Sequence, residues 1–404
     1  MSNIQLRQFL PLYAVIFLGF LGYALTITLY IPMLMDKNVH ILPVSSSESL
    51  RATLSGLLLA MYPLGQFFGS PVIGNLSDYF GRKNILLLSL LASTLGFIGI
   101  ALSIEFNQLF LLYISSFLTG LFESNMAISQ SVISDKCHDP VQRTKLIGYA
   151  YSACSLGYVV GPLLGGSIGA FLDYSSPFWI TAVGVLCLTL WIFYGFHDDY
   201  VPNKSTPIKI SQSLTAIKSI FDRPGLYKFY LVNFLIFFSV QGLYRVVPLY
   251  VVDQWQPTLQ TYSLLIAYVS LLCLIANLFI LGKLAKYFST QKLLTGLLLL
   301  GGLLVIAITI PHNFGWIWLT YAAAVIPTVM VLPICTTWLS NQVASSEQGQ
   351  ALGNNQALLV LGESSSAAIG GVIAAIFIPL PIYISGAILL LAGLLIRAQT
   401  HPAI

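Results

Sequence analysis

Charged side chains are scarce in this chain of 404 residues: Asp, Glu, Lys and Arg make up 8% of it, whereas 57% is hydrophobic. Soluble domains carry about 25% charged residues, and a soluble fold with so few would expose an adhesive apolar surface. A surface that faces lipid needs no charges, because the bilayer core penalises them. The composition excludes an ordinary soluble domain and predicts a polytopic membrane protein.

Paired cysteines and clustered histidines are also missing. The five cysteines are Cys137, Cys154, Cys187, Cys273 and Cys335. They form no C-x-x-C pair, and the five histidines are scattered, so neither a disulfide framework nor a metal site is supported. Nucleophile motifs and phosphate loops are absent too. We therefore expect no cofactor and no metal, and disfavour an enzyme or a receptor. The net charge is +4, but the basic residues lie in short loops between apolar runs and do not indicate nucleic-acid binding.

Long apolar runs are abundant instead. A bilayer core about 30 Å thick needs about 20 apolar residues per helix, and twelve runs of this kind are present. They are Leu10–Met35, Leu54–Leu76, Ile85–Ile104, Leu109–Ser134, Leu146–Phe171, Phe178–Phe196, Tyr227–Val252, Tyr262–Ala285, Leu293–Pro311, Gly315–Ser340, Ala351–Ile378 and Ile382–Ile396. The sequence predicts an all-α polytopic membrane protein with twelve transmembrane helices.

The basic residues predict how the chain crosses the membrane. With a cytoplasmic N-terminus, fifteen of the eighteen Lys and Arg residues fall on the cytoplasmic side, a strong positive-inside pattern. An even number of spans then places the C-terminus there too. The polar stretch 198–226 divides the chain into bundles 1–197 and 227–404 and is predicted to be a cytoplasmic linker. The short loops favour a bacterial inner membrane.

Two stretches of the sequence occur twice. The loop Gly74–Lys83 returns in weaker form as Gly282–Lys292. Four glycine pairs, 148/353, 157/362, 165/370 and 166/371, share one offset of 205 residues. Parallel repeats of six spans are typical of transporters with two moving halves, so we predict two six-helix pseudo-repeats.

The loop Gly-Asn-Leu-Ser-Asp-Tyr-Phe-Gly-Arg-Lys, together with the doubling, the twelve runs and the linker, resembles the major facilitator superfamily of secondary transporters. The resemblance covers essentially the whole chain. It implies the major facilitator fold and transport by alternating access. It also implies that the loop is a cytoplasmic latch, whose residues would be Gly74, Asp78, Gly81, Arg82, Lys83, Asp135 and Arg143. We expect electrostatic contact among four of these residues, Asp78, Arg82, Asp135 and Arg143. The alternative is that the loop is only a topology signal and that its charges are solvated.

A glycine pattern in the fifth run resembles the motif of antiporters and exporters of this superfamily, including tetracycline and multidrug exporters. Its residues are Gly157, Gly161, Pro162, Gly165 and Gly166. Small residues four apart let helix backbones touch, and a proline bends a helix. The pattern predicts a hinge; ordinary tight packing is the alternative.

Three charges lie inside predicted spans and away from their ends: Glu123, Arg245 and Glu363. Such residues are functional candidates. A carboxyl away from water readily takes up a proton, so either glutamate can carry one, while Arg245 can hold a carboxylate or an anionic substrate. Drug antiporters of the superfamily usually carry an arginine where Ser116 stands, and often an acid in the first span, which this chain lacks. The alternative is a structural buried pair.

Polar and aromatic side chains in the spans used by the superfamily for its pore are candidates for the substrate cavity. They are Tyr23, Tyr30, Gln66, Asn125, Tyr149, Asn233, Gln241, Tyr244, Asn277, Trp338, Asn355 and Gln356. For each of them, helix packing or the interfacial belt is the alternative.

These observations predict a secondary active transporter that couples export of a small amphipathic organic compound to protons. Its partners would be this compound, protons and the lipid bilayer, with no nucleic acid, and the protein would be a monomer. The alternative is an importer of the same fold for a metabolite or a siderophore-like anion, with Arg245 as the anion clamp.

Overall fold

The computed structural model describes residues 3–123, 125–137, 140–197, 224–340, 342–343 and 348–398, and in these residues all regular structure is helical. The helices are α1 (Asn3–Met35), α2 (Glu48–Phe80), α3 (Arg82–Glu105), α4 (Leu109–Phe122), α5 (Asn125–Lys136), α6 (Pro140–Phe171), α7 (Ser176–Gly195), α8 (Pro224–Trp255), α9 (Leu259–Ile275), α10 (Leu281–Tyr287), α11 (Thr290–Ala307), α12 (Phe314–Ser340), α13 (Gln348–Ala374) and α14 (Leu380–Ala398). A π-helical segment, Ala276–Ile280, joins α9 to α10.

Twelve helical segments of the described chain are long and apolar enough to cross a membrane. The predicted number of spans is therefore confirmed, and the chain is an integral membrane protein. Two spans are composite, which the apolar runs did not predict. The fourth span, Leu109–Ile133, is broken between α4 and α5, and the eighth, Leu259–Tyr287, contains the π-helical segment.

The described residues form two compact units. The first contains 3–45, 61–197 and 258–267, and the second contains 46–60, 224–257 and 268–398. Most of the predicted linker lies outside the described residues, although α8 already begins at Pro224, a residue suited to the first turn of a helix. The division into bundles 1–197 and 227–404 stays a prediction.

Equivalent glycines make equivalent contacts in the two units, as expected of an internal repeat. In the first unit, Gly166 lies against Ser263 of α9. In the second unit, Gly371 lies against Gly56 of α2, with 2.7 Å between a Cβ added to Gly371 and the Gly56 Cα. These contacts explain why 46–60, at the start of the second span, belongs to the second unit, and why 258–267, at the start of the eighth span, belongs to the first unit.

In the first unit, α2 crosses α4 with backbones touching. Cβ atoms added to Gly65 and Gly69 of α2 would collide with the backbone of α4 between Phe117 and Leu121. Gly120 of α4 faces the carbonyl group of Tyr62 in the same way. Small residues four apart permit this approach, and the crossing lies directly before the break in the fourth span.

Candidate functional site

The predicted latch loop surrounds a single arginine. Gly81 connects α2 to α3 with φ 97°, a backbone region that a side chain disfavours. The sharp turn brings the Arg82 guanidinium 2.6 Å from the Asp78 carboxylate and 3.1 Å from that of Asp135. Arg82 also donates to the Ser77 hydroxyl at 2.8 Å. Helices α2, α3 and α5 are thus tied together at one end of the first unit.

Two lysines beside this cluster bind the end of α7. Lys83 donates to the carbonyl of Phe193 at 2.9 Å, and Lys136 donates to that of His197 at 2.7 Å. The Phe193 carbonyl lies in the last turn of α7, where carbonyls lack helical partners and carry partial negative charge, whereas His197 follows the end of the helix by two residues. The remaining two latch candidates differ: Arg143 is exposed on α6, and no described atom lies within 4 Å of a Cβ added to Gly74.

Glu123 lies at the break of the fourth span. It follows the last residue of α4, has φ −88° and ψ 79°, and its N–H still bonds to carbonyls of the preceding turn. Its side chain is only 6% exposed, and its Oε2 atom has no hydrogen-bond partner among the described residues. None of the described basic side chains pairs with it. A carboxylate buried without a counter-charge is costly.

Glu363 has a different environment. In the second unit, it forms an ion pair with Arg245, and the two residues are 6% and 3% exposed. Arg245 also donates to the carbonyl of Gln241 at 2.9 Å. The pair joins α8 to α13 and keeps both charges compensated away from water, as buried charges require.

The remaining cavity candidates of the second unit do not form one group. Asn233 donates to Asn355 at 2.8 Å, and Asn355 in turn donates to Thr336 at 3.4 Å. Trp338 packs on Phe229 with ring centroids 4.7 Å apart. The others have varied surroundings: Tyr244 contacts the sulfur of Cys273 at 3.5 Å, Asn277 lies in the π-helical segment, and Gln356 is exposed.

Aromatic rings dominate the candidates of the first unit. Tyr23 stacks on Tyr62 with ring centroids 4.6 Å apart and meets Tyr158 edge-on at 6.1 Å. Tyr30 is fully buried and shares a 2.7 Å hydrogen bond with Ser116. The other candidates have no such group: Gln66 is half-buried, Tyr149 is 38% exposed, and the side chain of Asn125 lies outside the described part of the chain.

The glycine pattern of α6 faces α1. A Cβ added to Gly157 would lie 2.8 Å from the Leu21 nitrogen, and one added to Gly161 would lie 2.8 Å from the Leu21 carbonyl. Gly165 meets the Leu25 side chain, and Pro162 lies inside the helix. The close helix contact is present; the hinge stays a prediction.

Several polar residues near these groups were not predicted from the sequence. Ser89 donates to the carbonyl of Phe122 at the end of α4, and Ser93, one turn further along α3, is buried. Arg51 is also fully buried in the second unit, although its sequence neighbourhood is typical of a loop. The Gly65–Gly69 spacing is the signal that could have located the α2–α4 crossing.

An internally repeated bundle of apolar helices with charges buried in its spans has the architecture of a secondary transporter. The family model described as Major Facilitator Superfamily matches residues 12–254 and 229–403. The chain belongs to this superfamily of transporters, as its loop motif and doubling indicated.

Curated relatives include bacterial resistance proteins. Tetracycline resistance protein, class B, of Escherichia coli is 31% identical over 222 residues, which cover 54% of this chain and 53% of that protein. The match therefore spans about half the length of that relative. Multidrug resistance protein 2 of Bacillus subtilis (strain 168) is 24% identical over 391 residues, which cover 96% of this chain and 94% of that protein. The crystal structure of the nucleoside transporter NupG, 11% identical, has a TM-score of 0.78 over 98% of this chain and 100% of its own. This likeness shows the fold alone.

Proposed function

We propose that this chain is a proton-coupled exporter of a small amphipathic organic compound in the inner membrane of a bacterium, with both termini cytoplasmic. The observation that carries the proposal is the similarity, over almost the whole chain, to a bacterial multidrug resistance protein. The half-length match to a tetracycline resistance protein supports the same direction of transport.

A buried carboxyl group supports coupling to protons. Glu123 lacks a basic partner among the described residues and lies in a span, so its charged form is costly. Such a group takes up a proton when its surroundings are dry and releases it when water reaches it. Alternating access would supply that change of solvation once in each cycle.

The aromatic group of the first unit supports an amphipathic substrate. Tyr23, Tyr62 and Tyr158 present ring faces and edges from three helices within one contact network. Aromatic faces bind flat apolar bodies and attract organic cations, and phenol hydroxyls give such ligands a polar contact. We propose that part of the substrate lies against these rings.

The ion pair of the second unit weakens the alternative reading as an anion importer. Arg245 binds Glu363 within the unit, so an anionic substrate would have to displace a buried carboxylate. We propose that this pair organises the polar centre of α8 and α13. We also propose that bundles 1–197 and 227–404 move against each other, and that the latch loop stabilises one of the conformations between which they alternate.

Everted membrane vesicles with an imposed acid interior test this proposal. Ethidium and tetracycline serve as probes, and a pH-sensitive dye reports the gradient. With the wild-type protein, at least one probe should enter the vesicles and dissipate the gradient, because export from the cell corresponds to entry here. Glu123→Gln should abolish the dissipation.

The matched control is Glu105→Gln, which changes an exposed carboxyl that accepts a 2.7 Å hydrogen bond from Trp179. This variant should behave as wild type because the amide oxygen can accept the same bond. Probe movement out of the vesicles under the same gradient would identify an importer. Probe movement at the same rate with and without the pH gradient would contradict the proposed coupling to protons.

A further inference from the structure

The second copy of the repeated loop, Gly282–Lys292, lacks the acid on which the first copy depends. In the first copy, Arg82 pairs with Asp78 at 2.6 Å and with Asp135 of α5 at 3.1 Å. Lys286 stands in the second copy where Asp78 stands in the first, so the equivalent ion pair cannot form. The second copy therefore carries positive charge that its own sequence does not neutralise.

The basic side chains at this end of the second unit are exposed. Lys283 and Lys286 of α10 are both exposed, and no acidic side chain among the described residues pairs with either of them. Gln291 of α11 donates to the Ile396 carbonyl at 2.8 Å, which brings the end of α14, with the exposed Arg397, to the same place. This end of the unit is therefore positively charged.

The described acidic residues of the second unit lie elsewhere. They are Glu48, Asp253 and Glu363. Asp253 lies just before the eighth span, whose other end contains α10, and Glu48 interacts electrostatically with Asp253. Glu363 is buried and paired with Arg245. None of them neutralises α10, so a counter-charge has to come from outside the described residues of this unit.

Helix α10 presents its charges on one face. Lys283, Lys286 and Tyr287 are three and four residues apart, so their side chains are neighbours on the helix surface. Helix α10 buries none of its residues, and Tyr287 is 83% exposed. Like charges at this spacing destabilise a helix, and a negative group bound to this face would remove that repulsion.

Lipid headgroups are the negative groups at this depth of the membrane. Helix α10 directly follows the π-helical segment, whose side chains Leu278 and Phe279 are 57% and 62% exposed and are suited to contact acyl chains. Tyrosine is enriched at the level of the headgroups, and lysine side chains extend from the apolar region to the polar one. A zwitterionic headgroup brings a positive charge of its own, whereas an anionic headgroup keeps a net negative charge for the two lysines.

We propose that Lys283, Lys286 and Tyr287 of α10 form a binding site for the headgroup of an anionic phospholipid. The two ammonium groups would donate to the phosphate oxygens, and the acyl chains would follow the exposed apolar side chains of the eighth span. Basic groups beside membrane helices bind anionic headgroups in other proteins. The first copy of the loop is not expected to do so, because acids neutralise Arg82 and Lys83 already donates to a carbonyl of α7. The inference goes beyond the proposed export and does not depend on it.

Fluorescence quenching by brominated lipids tests this site. The full-length variant Tyr287→Trp places an indole at the site, and the emission of the wild-type protein is subtracted as background. The protein is reconstituted into phosphatidylcholine vesicles in which either brominated phosphatidylglycerol or brominated phosphatidylcholine is present in both leaflets, so its orientation does not affect the result. Phosphatidylglycerol should quench the added emission more strongly at equal mole fraction, and the difference should shrink at high salt.

Removal of the two lysines provides the main comparison. Each basic side chain near an anionic membrane surface strengthens binding about fivefold, so adding Lys283→Gln and Lys286→Gln should lower the preference for phosphatidylglycerol by about tenfold or more. The matched control is Arg143→Gln with Lys145→Gln, which removes two exposed basic groups from α6 of the first unit and should leave the preference unchanged. In detergent without lipid, both double variants should unfold at the wild-type temperature, because the substituted side chains are exposed.

Three results would overturn the inference. The first is equal quenching by the two lipids, or a control variant that lowers the preference as much as the lysine variant, since the attraction would then belong to the whole positive surface. The second is relief of the quenching by sodium phosphate, compared with sodium chloride of the same ionic strength, which would assign the site to free phosphate. The third is a lower Tm of the lysine variant in detergent without lipid, which would show that this face packs within the protein. None of these measurements involves transport, so the loss of either proposal leaves the other standing.

Discussion

Breaking the Arg245–Glu363 ion pair should destabilise the second unit strongly. Both side chains are almost completely buried, and they bind each other. Removing one partner of a buried pair costs about 3–5 kcal/mol, because the other charge remains without compensation. For a unit of about 200 residues, 1 kcal/mol shifts Tm by about 2–4 °C. Arg245→Ala and Glu363→Ala should therefore each lower the apparent Tm by on the order of 10 °C.

The double variant Arg245→Met, Glu363→Leu is the decisive comparison. It removes both charges and fills their space with apolar atoms, which is often neutral or stabilising at buried ion pairs. We expect it to regain most of the lost stability, with a coupling energy of at least about 2 kcal/mol. Lys292→Ala, which removes an exposed charge, should stay within about 0.5 kcal/mol of wild type.

The assay is thermal unfolding in detergent, with a dye that fluoresces when buried cysteines become accessible. Cys335 of the second unit is a suitable reporter because it is fully buried. A double variant whose loss of stability equals the sum of the losses in the single variants would contradict this prediction, because the two charges would then act independently. Single variants as stable as Lys292→Ala would show that the charges are hydrated in the folded protein.

Three further predictions concern helix contacts and turns, all measured by the same unfolding assay. Gly69→Ala should lower the free energy of unfolding by about 1–3 kcal/mol, because its Cβ would collide with α4. Gly74→Ala on the same helix should leave it unchanged or raise it by up to about 1 kcal/mol. Equal effects of the two substitutions would contradict the described crossing of α2 and α4. Gly81→Ala should lower the free energy of unfolding by about 1–2 kcal/mol, because φ is 97° at this position. Gly81→Asn should lower it by less. Burial raises the pKa of Asp173, but hydrogen bonds from Ser175 and Ser176 outweigh it and hold the pKa below its usual range. The stabilisation is present above the unfolded-state pKa and is lost as pH falls through the folded-state pKa, so Asp173→Ala should cost about 1 kcal/mol at neutral pH and nothing in strong acid.

The spans were predictable from the sequence because a membrane imposes one length on every helix that crosses it. Hydropathy averages over whole runs, however, and cannot detect a change of backbone conformation within one. The hydropathy of Leu109–Ser134 predicts one continuous helix, although α4 ends at Phe122 and α5 begins at Asn125. The π-helical segment Ala276–Ile280 is hidden for the same reason, since its residues are as apolar as their neighbours.

Contacts within the site were predictable where they are local. Asp78 and Arg82 are four residues apart, and their 2.6 Å ion pair follows from the spacing together with the turn at Gly81. Arg245 and Glu363 are separated by 118 residues, so their pairing depends on the packing of α8 against α13. Ser93 was missed because a serine in a span usually bonds to its own helix, as Ser103 does.

The two halves of this chain share a fold but not their chemistry, and the differences define the proposed mechanism. The buried acid of the first unit has no base beside it among the described residues, whereas the buried acid of the second unit is paired with Arg245. We propose that Glu123 exchanges the proton in each transport cycle, and that the ion pair of Glu363 with Arg245 holds α8 and α13 together. A repeat that kept the same surroundings for both acids would offer two equivalent sites, and we propose that only the acid of the first unit couples transport to protons.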